Sequence, residues 1–72
     1  MDEQKLLENF GINLKHYRNK AKMSQDKIAE LTGFSKAYIS NVESAKHNIS
    51  LVNAIKFATI VNKTVDELIK DL

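Results

Sequence analysis

The hydrophobic positions of this 72-residue chain recur at steps of three and four residues along its length. That spacing places apolar side chains on one face of an α-helix, whereas a half-buried strand would alternate apolar and polar positions. The pattern therefore predicts an all-α protein, and no repeat, linker or low-complexity segment divides it. We expect one domain over residues 1–72, because a chain this short supports a single modest core.

The first helix is predicted over about residues 4–21, where apolar positions recur at helical spacing and Gly11 is tolerated inside the run. A helix of this length supplies one continuous apolar stripe to the core. The side chains expected to face inward are Leu6, Leu7, Phe10, Leu14, Tyr17 and Ala21.

A second helix of about eight residues is predicted to follow Ser24, which is a favourable N-cap. Asp26 suits the positive end of this helix, and Gly33 suits the left-handed residue that ends it. Ile28 and Leu31 are expected to face inward.

Ser35 follows the glycine by two residues and is predicted to cap a third helix over residues 36–44. Two short helices joined so tightly must cross steeply. Ser50 is predicted to cap a fourth helix, which ends at Asn62 because asparagine tolerates the left-handed conformation. The inward set expected of the fourth helix is Leu51, Ala54, Ile55, Ala58 and Val61.

Thr64 and Glu67 form a capping-box pattern that predicts a fifth helix extending to the end of the chain. The last two helices carry more aliphatic surface than one small core absorbs. A dimer interface is the functional interpretation, and core packing remains the alternative for part of the set. The predicted dimer residues are Ile60, Val61, Val65, Leu68, Ile69 and Leu72.

Charge is concentrated in the middle of the chain. Residues 11–50 contain seven basic and three acidic side chains, a net charge of +4, whereas residues 1–10 carry −2 and residues 51–72 carry zero. A basic centre favours a polyanionic partner such as nucleic acid, and solvated surface lysines are the alternative.

Several classes of function are excluded by what the composition lacks. The chain has no cysteine, so it forms no disulfide or thiolate metal site, and its two histidines, His16 and His47, lack a matching third ligand. No Ser, His and Asp set is spaced for catalysis, and we expect neither an enzyme nor a cofactor. The absence of a long apolar run or a signal peptide predicts a cytoplasmic protein that does not bind membranes.

Residues 25–44 match the helix-turn-helix pattern position by position. Ala29 allows the two helices of the motif to approach each other, and Gly33 takes the positive φ of the turn between them. The side chains expected to fill the angle between the two helices are Phe34, Ile39 and Val42.

The outer face of the third helix has the character of a DNA-reading surface. At 100° per residue its outward side chains fall within a sector of about 140° that contains no carboxylate. Small or hydrogen-bonding groups and one cation suit entry into a phosphate-lined groove, and an ordinary solvated face is the alternative. The sector comprises Lys36, Ala37, Ser40, Asn41 and Ser44.

Over about residues 8–69 the chain resembles the phage-repressor and Cro-like (XRE-type) family of helix-turn-helix regulators. Within it, the run over residues 38–43 followed by residues 48–51 is most similar to the controller proteins of restriction-modification systems. The resemblance rests on Phe10-Gly11, Leu14-Lys15, Arg18, Ser24-Gln25, Ile28-Ala29, Gly33, Ser35, Tyr38-Ile39-Ser40, Glu43, Asn48-Ile49-Ser50-Leu51 and Asp66-Glu67-Leu68.

This resemblance implies a compact five-helix, lambda-repressor-like domain whose second and third helices form the DNA-binding motif. The third helix would lie in the major groove, and dimers would span half-sites one helical turn apart. The implied phosphate contacts are Gln25, Ser35, Lys46, His47 and Asn48. The implied base contacts are Lys36, Ala37, Ser40 and Asn41, with Tyr38 shared between the core and DNA.

Base chemistry fits those side chains. Asn41 suits a paired contact with adenine, Lys36 suits guanine or a phosphate, and Ala37 suits a thymine methyl group. The short side chains leave part of the specificity to DNA shape.

The same resemblance implies a structural ion pair between Arg18 and Glu43 that joins the first helix to the third. Two departures from the family concern the phosphate loop. Ala45 stands where glycine is usual, and Ile49 stands where proline is common.

The functional expectation is a homodimeric transcriptional regulator that binds an inverted-repeat operator in double-stranded DNA and controls its own operon, without an evident small-molecule effector. An antitoxin-like module that docks a partner protein, with DNA binding secondary, is the alternative. An inert helical bundle is a third.

Overall fold

The computed structural model describes residues 2–71, in which every regular element is an α-helix. None of these helices combines the length and the apolar character needed to cross a bilayer. The all-α, five-helix prediction is therefore confirmed. The helices are α1 (Glu3–Lys20), α2 (Gln25–Thr32), α3 (Lys36–Glu43), α4 (Leu51–Ile60) and α5 (Val65–Leu68).

Four helices start after the predicted caps Ser24, Ser35, Ser50 and Thr64, and α1 starts after Asp2, for which no cap was predicted. Each capping side chain has an extended backbone and accepts a hydrogen bond from a main-chain N–H of the first turn, which satisfies a donor that lacks an intrahelical partner. At α5 the capping box is complete, because Glu67 also accepts from the main chain of Thr64. The caps are Asp2, Ser24, Ser35, Ser50 and Thr64.

Left-handed residues end the helices or follow them closely. Gly33 has φ +79° and Asn62 has φ +60°, as predicted. Lys22 and Ala45 adopt φ +60° and +59°, a conformation that is less favourable for side chains with a Cβ. Ala45, which stands where the family usually has glycine, therefore takes the left-handed conformation that glycine adopts more readily.

The core is centred on Phe57, a fully buried side chain of α4 that the sequence analysis did not single out. Its ring lies 5.1 Å from the ring of Phe34, 6.1 Å from that of Tyr38 and 6.3 Å from that of Phe10, measured between centroids. Four helices or turns thus meet at one aromatic cluster. The buried hydrophobic residues are Phe10, Leu14, Ile28, Ile39, Val42, Ala54, Phe57, Ala58, Val61 and Leu68.

Four side chains predicted to face inward are exposed: Ala21, Leu31, Leu51 and Ile55. Ala21 lies one residue beyond α1, where the chain turns. In α4 the error has a clear cause, because seven of its ten residues are apolar and periodicity alone cannot select the buried face.

The fifth helix is shorter than predicted and ends at Leu68. The side-chain amides of Asn9 and Asn13 in α1 bind main-chain carbonyl groups at the end of α5 and just after it. Asn13 Nδ2 donates to the main-chain oxygens of Leu68 and Lys70 at 2.8 Å each, and Asn9 Nδ2 donates to that of Ile69 at 3.2 Å. These carbonyls are satisfied by side chains from another helix, so they need no further helical turn.

Helix α3 lies against α1 at Gly11. A Cβ atom built on this glycine would lie 2.6 Å from the main-chain oxygens of both Val42 and Glu43. Real Cβ atoms do not approach carbonyl oxygens that closely. The residue that the sequence analysis treated as merely tolerated is therefore what allows the two backbones to meet.

We predict that Gly11→Ala destabilises the protein by about 1–3 kcal/mol, because the added methyl group would push α3 away from α1. Helix propensity alone favours alanine by about 1 kcal/mol, so the expected sign opposes the local preference. Urea unfolding followed by circular dichroism measures the change. Lys15→Ala, an exposed substitution in the same helix, is the control, and a Gly11→Ala protein that is as stable as the parent would contradict the close approach.

Candidate DNA-binding surface

Helix α3 divides cleanly into a buried and an exposed side. Ile39 and Val42 are buried in the core, whereas Lys36, Ala37 and Ser40 are exposed. Asn41 is half-buried, and Ser44 is an exposed residue just after the helix. The structure therefore brings the predicted base-contacting residues to one side of the molecule.

The only acidic side chain of α3, Glu43, points away from that exposed side. Its carboxylate is 4% exposed and pairs with Arg18, whose side chain is 9% exposed. Arg18 Nε donates to Glu43 Oε2 at 2.7 Å, and its Nη2 donates to Oε1 at 3.1 Å. This paired geometry fixes both orientation and distance between α1 and α3.

Two further hydrogen bonds extend the ion pair to the start of α2. Arg18 Nη1 donates to the main-chain oxygen of Met23 at 2.8 Å, and Gln25 Nε2 donates to Glu43 Oε1 at 3.0 Å. The network therefore joins α1, the turn before α2, α2 itself and the end of α3. The pair was expected from the resemblance, whereas the participation of Gln25 was not, because no sequence spacing connects Gln25 to Glu43.

Gln25 was predicted to contact a phosphate, and its amide is now seen to be oriented by Glu43. An amide nitrogen carries two hydrogens, so one remains free after the bond to the carboxylate. Gln25 is also the first residue of α2, where main-chain N–H groups without helical partners favour an anion.

Tyr38 belongs to the edge of the core. Its ring is tilted by 27° relative to Phe57, and its hydroxyl accepts a hydrogen bond of 3.0 Å from Asn53 Nδ2 of α4. This role of Asn53 was not predicted, since no local pattern distinguishes Asn53 from an exposed polar residue. Tyr38 is half-buried, so one side of the ring still borders the exposed side of α3.

Lys36 is a surface cation with a weak partner. Its Nζ lies 3.4 Å from Asp26 Oδ1, and both side chains are mostly exposed. Exposed ion pairs contribute about 0–1 kcal/mol, so this contact yields readily to a competing anion or base. Ser35 uses its hydroxyl oxygen to cap α3 by accepting from Tyr38 N at 3.0 Å. Its hydroxyl hydrogen remains available as a donor.

The loop after α3 presents Lys46 and His47 to solvent. It is held by a main-chain bond of 2.8 Å from Lys46 N to the oxygen of Asn41, and by a side-chain contact of 3.2 Å between Asn41 Nδ2 and His47 Nε2. Asn48 is exposed at the rim of an apolar groove that α1 and α4 also line.

Two of the predicted dimer residues, Val61 and Leu68, are buried within the protomer, so their side chains are not on the surface available to a second copy. Ile60, Val65 and Ile69 are half-buried and pack against the core, and position 72 lies outside the described residues. The strongly exposed apolar side chains of α4 are instead Leu51 (70%), Val52 (62%) and Ile55 (48%). We call these three residues the α4 patch.

Comparison with known proteins matches residues 14–68 to the family described as Helix-turn-helix. The match spans well over half of the chain and includes both helices of the motif. This chain belongs to that family. It is a DNA-binding transcriptional regulator, and the resemblance noted in the sequence is confirmed.

Three similar proteins are controllers by name. Control protein C.SmaI of Serratia marcescens is 34% identical over 62 residues, which cover 86% of this chain and 74% of that protein. Control protein C.MunI of Mycoplasma sp. is 36% identical over 64 residues, which cover 88% and 86%. The crystal structure of the restriction-modification controller protein C.AhdI from Aeromonas hydrophila superposes with a TM-score of 0.79 at 37% identity, covering 86% of this chain and 94% of that one.

The buried ion pair generates a stability prediction for this helix-turn-helix regulator. Arg18→Met is expected to cost about 3 kcal/mol or more, because Glu43 would be left buried without its partner. Replacing both side chains, as in Arg18→Met with Glu43→Leu, should cost less than the sum of the single substitutions. Urea unfolding of the three variants gives the coupling between the two residues.

The matched control is Lys27→Met, which removes an exposed ion pair of 3.6 Å with Glu30. Such a pair contributes at most about 1 kcal/mol. If Arg18→Met were as mild as Lys27→Met, the ion pair would not determine the position of α3.

Proposed function

We propose that this protein binds an operator in double-stranded DNA as a homodimer, with α3 of each subunit in the major groove of one half-site. The observation that supports the proposal most directly is the exposed side of α3. It combines one cation with small and hydrogen-bonding side chains, and its one carboxylate is buried on the other side. An eight-residue helix of this kind fits the width of a major groove without repelling the phosphates that line it.

Base contacts are assigned to Lys36, Ala37, Ser40 and Asn41, with a smaller part for the half-buried Tyr38. Asn41 would make the paired contact with a purine, and Ala37 would meet a thymine methyl group. The short side chains require α3 to approach the base edges closely. The fixed distance between α3 and α1, set by Gly11 and by the buried ion pair, supports that close approach.

Phosphate contacts are assigned to both flanks of α3. On one flank, the free N–H of Gln25 and the start of α2 would bind one phosphate, and the hydroxyl of Ser35 would add a donor. On the other, Lys46, His47 and Asn48 would bind a second phosphate. These contacts would set the register of α3 without selecting a sequence.

The α4 patch is the surface we assign to the dimer, in place of the aliphatic set predicted from the sequence. Leu51, Val52 and Ile55 lie within about 100° of one another around the helix axis. They form a contiguous apolar surface next to the groove that Leu51 also lines. A twofold dimer through one such patch presents two α3 helices to an inverted repeat.

The regulated system is proposed from the relatives, two of which are named control proteins and one a restriction-modification controller protein. In that role the protein would act in the cytoplasm and regulate its own operon, without catalysis or a small-molecule effector. Its response would follow its own concentration, because dimerisation and DNA binding are both governed by mass action.

The DNA-binding mode is tested by measuring affinity for a selected operator and for unrelated duplexes at several salt concentrations. If the dimer neutralises about eight phosphates, log affinity should fall with log salt with a slope of about −7. Asn41→Ala should relax the preference at one position of each half-site. Lys46→Ala should weaken binding to all sequences alike and reduce the slope by about 1 per subunit.

A slope near zero would contradict the electrostatic mode. If both variants lost affinity uniformly over all duplexes, the assignment of base contacts to α3 would be wrong. Ile12→Ala, an exposed apolar substitution on α1, serves as the control and should leave both quantities unchanged.

The dimer assignment predicts that Val52→Lys raises the dissociation constant of the dimer by about tenfold or more, because a charge would be placed in an apolar contact. Sedimentation equilibrium measures this constant directly. Ile12→Lys is the matched control, since Ile12 is 51% exposed and lies on a different helix. Equal effects of the two substitutions would exclude the α4 patch as the dimer surface.

A further inference from the structure

Asn41 and His47 form a side-chain pair at the edge of the proposed base-contacting surface. Asn41 Nδ2 lies 3.2 Å from His47 Nε2. The imidazole also stacks near the ring of Tyr38, with 6.3 Å between centroids and 28° between planes. Tyr38 is itself fixed through its hydroxyl by Asn53. The position of the imidazole is therefore set by two residues of α3, one of which is anchored to α4.

The proton on the imidazole determines which end of the Asn41 amide can face it. A neutral imidazole with its proton on Nδ1 presents Nε2 as an acceptor, so the amide nitrogen of Asn41 turns towards it. An imidazolium donates from both nitrogens, so the amide oxygen must turn towards Nε2 instead. In the structure Asn41 Nδ2 faces His47 Nε2, an arrangement in which a neutral imidazole carries its proton on Nδ1. This neutral tautomer and the imidazolium favour opposite orientations of the same amide.

Each orientation leaves a different set of groups for DNA. With its nitrogen bound to a neutral His47, Asn41 presents Oδ1 and one N–H, the acceptor and donor that match N6 and N7 of adenine. With its oxygen bound to a charged His47, Asn41 presents only N–H donors to DNA, which suit an acceptor of guanine, O6 or N7, and do not suit the N6 amino group of adenine.

We propose that His47 is a positioning residue that selects, through the orientation of the Asn41 amide, which purine Asn41 contacts: adenine when the imidazole is neutral and guanine when it is charged. The inference rests on the proposed function, in which Asn41 faces the base edges. It gives the operator preference of this protein a dependence on pH, because histidine is the side chain that changes its charge between pH 5 and 8.

Binding to DNA strengthens the influence of the His47 proton on the orientation of the Asn41 amide. In free solution water competes for an exposed amide, so the pair contributes little to its orientation. In a groove from which water is excluded, the wrong orientation would face two donors or two acceptors against each other. The cost of such a mismatch is what couples the proton on His47 to the base.

In the proposed complex, the phosphate assigned to the loop after α3 would face His47. The charged and titratable groups of the protein itself lie on α3, in that loop and on α4. On α3 they are Tyr38, whose hydroxyl is bound, Lys36 at the far end of the helix, and Glu43, whose carboxylate is occupied by Arg18 and Gln25. Lys46 lies in the same loop as His47, and Lys56 of α4 has its Nζ over the Phe34 ring at 5.7 Å. Within residues 2–71, no carboxylate forms an ion pair with His47.

The test is selection of bound duplexes from a random pool by the full-length protein at about pH 8 and at about pH 5.5. We expect one position of each half-site to change from adenine towards guanine at the lower pH, with a change of about tenfold in the ratio of the two bases. The same selection is carried out with His47→Phe, which keeps an aromatic ring beside Tyr38 but removes both nitrogens. Its base preference should not depend on pH.

His16→Phe is the matched control, because His16 is the other histidine of the chain and lies on α1 beside Tyr17. This variant should retain the pH-dependent change. A parent protein that selects the same base at both pH values would overturn the proposal, and so would His47→Phe if it showed the same change as the parent.

Asn41→Ala separates failure of this inference from failure of the proposed function. If Asn41→Ala relaxes one position while pH leaves the parent unchanged, only the role of His47 is wrong. If Asn41→Ala selects the same sequence as the parent, Asn41 contacts no base and the proposed function fails at that residue. Both the inference and the proposed function are supported if Asn41→Ala relaxes the base preference at one position and also removes the pH dependence that the parent shows there.

Discussion

The buried pair of Arg18 and Glu43 is the interaction on which the DNA-binding surface depends. Helix α3 has only eight residues, and helices this short do not persist in water by themselves. The ion pair and the close backbone contact at Gly11 attach α3 to the 18-residue α1. A carboxylate near a polyanion would oppose binding. Burying Glu43 opposite an arginine removes that repulsion and makes the same charge a structural contact.

The two sides of α3 differ in how strongly they are constrained. The buried side is fixed by close packing and by a fully paired network. On the exposed side the contacts are weak, as in the ion pair of Lys36 with Asp26 and the contact of Asn41 with His47. A rigid attachment with adaptable outer side chains suits recognition. The helix axis is placed without reference to DNA, while individual side chains exchange water or surface partners for bases.

Helix α4 serves two surfaces at once. One side supplies Phe57 to the centre of the core, and the other carries the α4 patch of Leu51, Val52 and Ile55. The sequence indicated a dimer from a different aliphatic set, which lies within residues 60–72. The composition of α4 did not show which of its residues form the surface, because seven of its ten residues are apolar and more than one face could be buried. The residues first assigned to the dimer include Val61 and Leu68, which the core of the protomer already contains.

What the sequence alone determined was local. Helix starts follow from Ser24, Ser35, Ser50 and Thr64, since an N-cap acts within its own turn, and the ends at Gly33 and Asn62 follow from the left-handed conformation. Only the tertiary structure decided where α5 stops, because its last carbonyls are bound by Asn9 and Asn13 of α1. It likewise decided that Gln25 joins the buried ion pair and that Leu31 is exposed. These outcomes depend on contacts between residues distant in the chain, and no short-range pattern records such contacts.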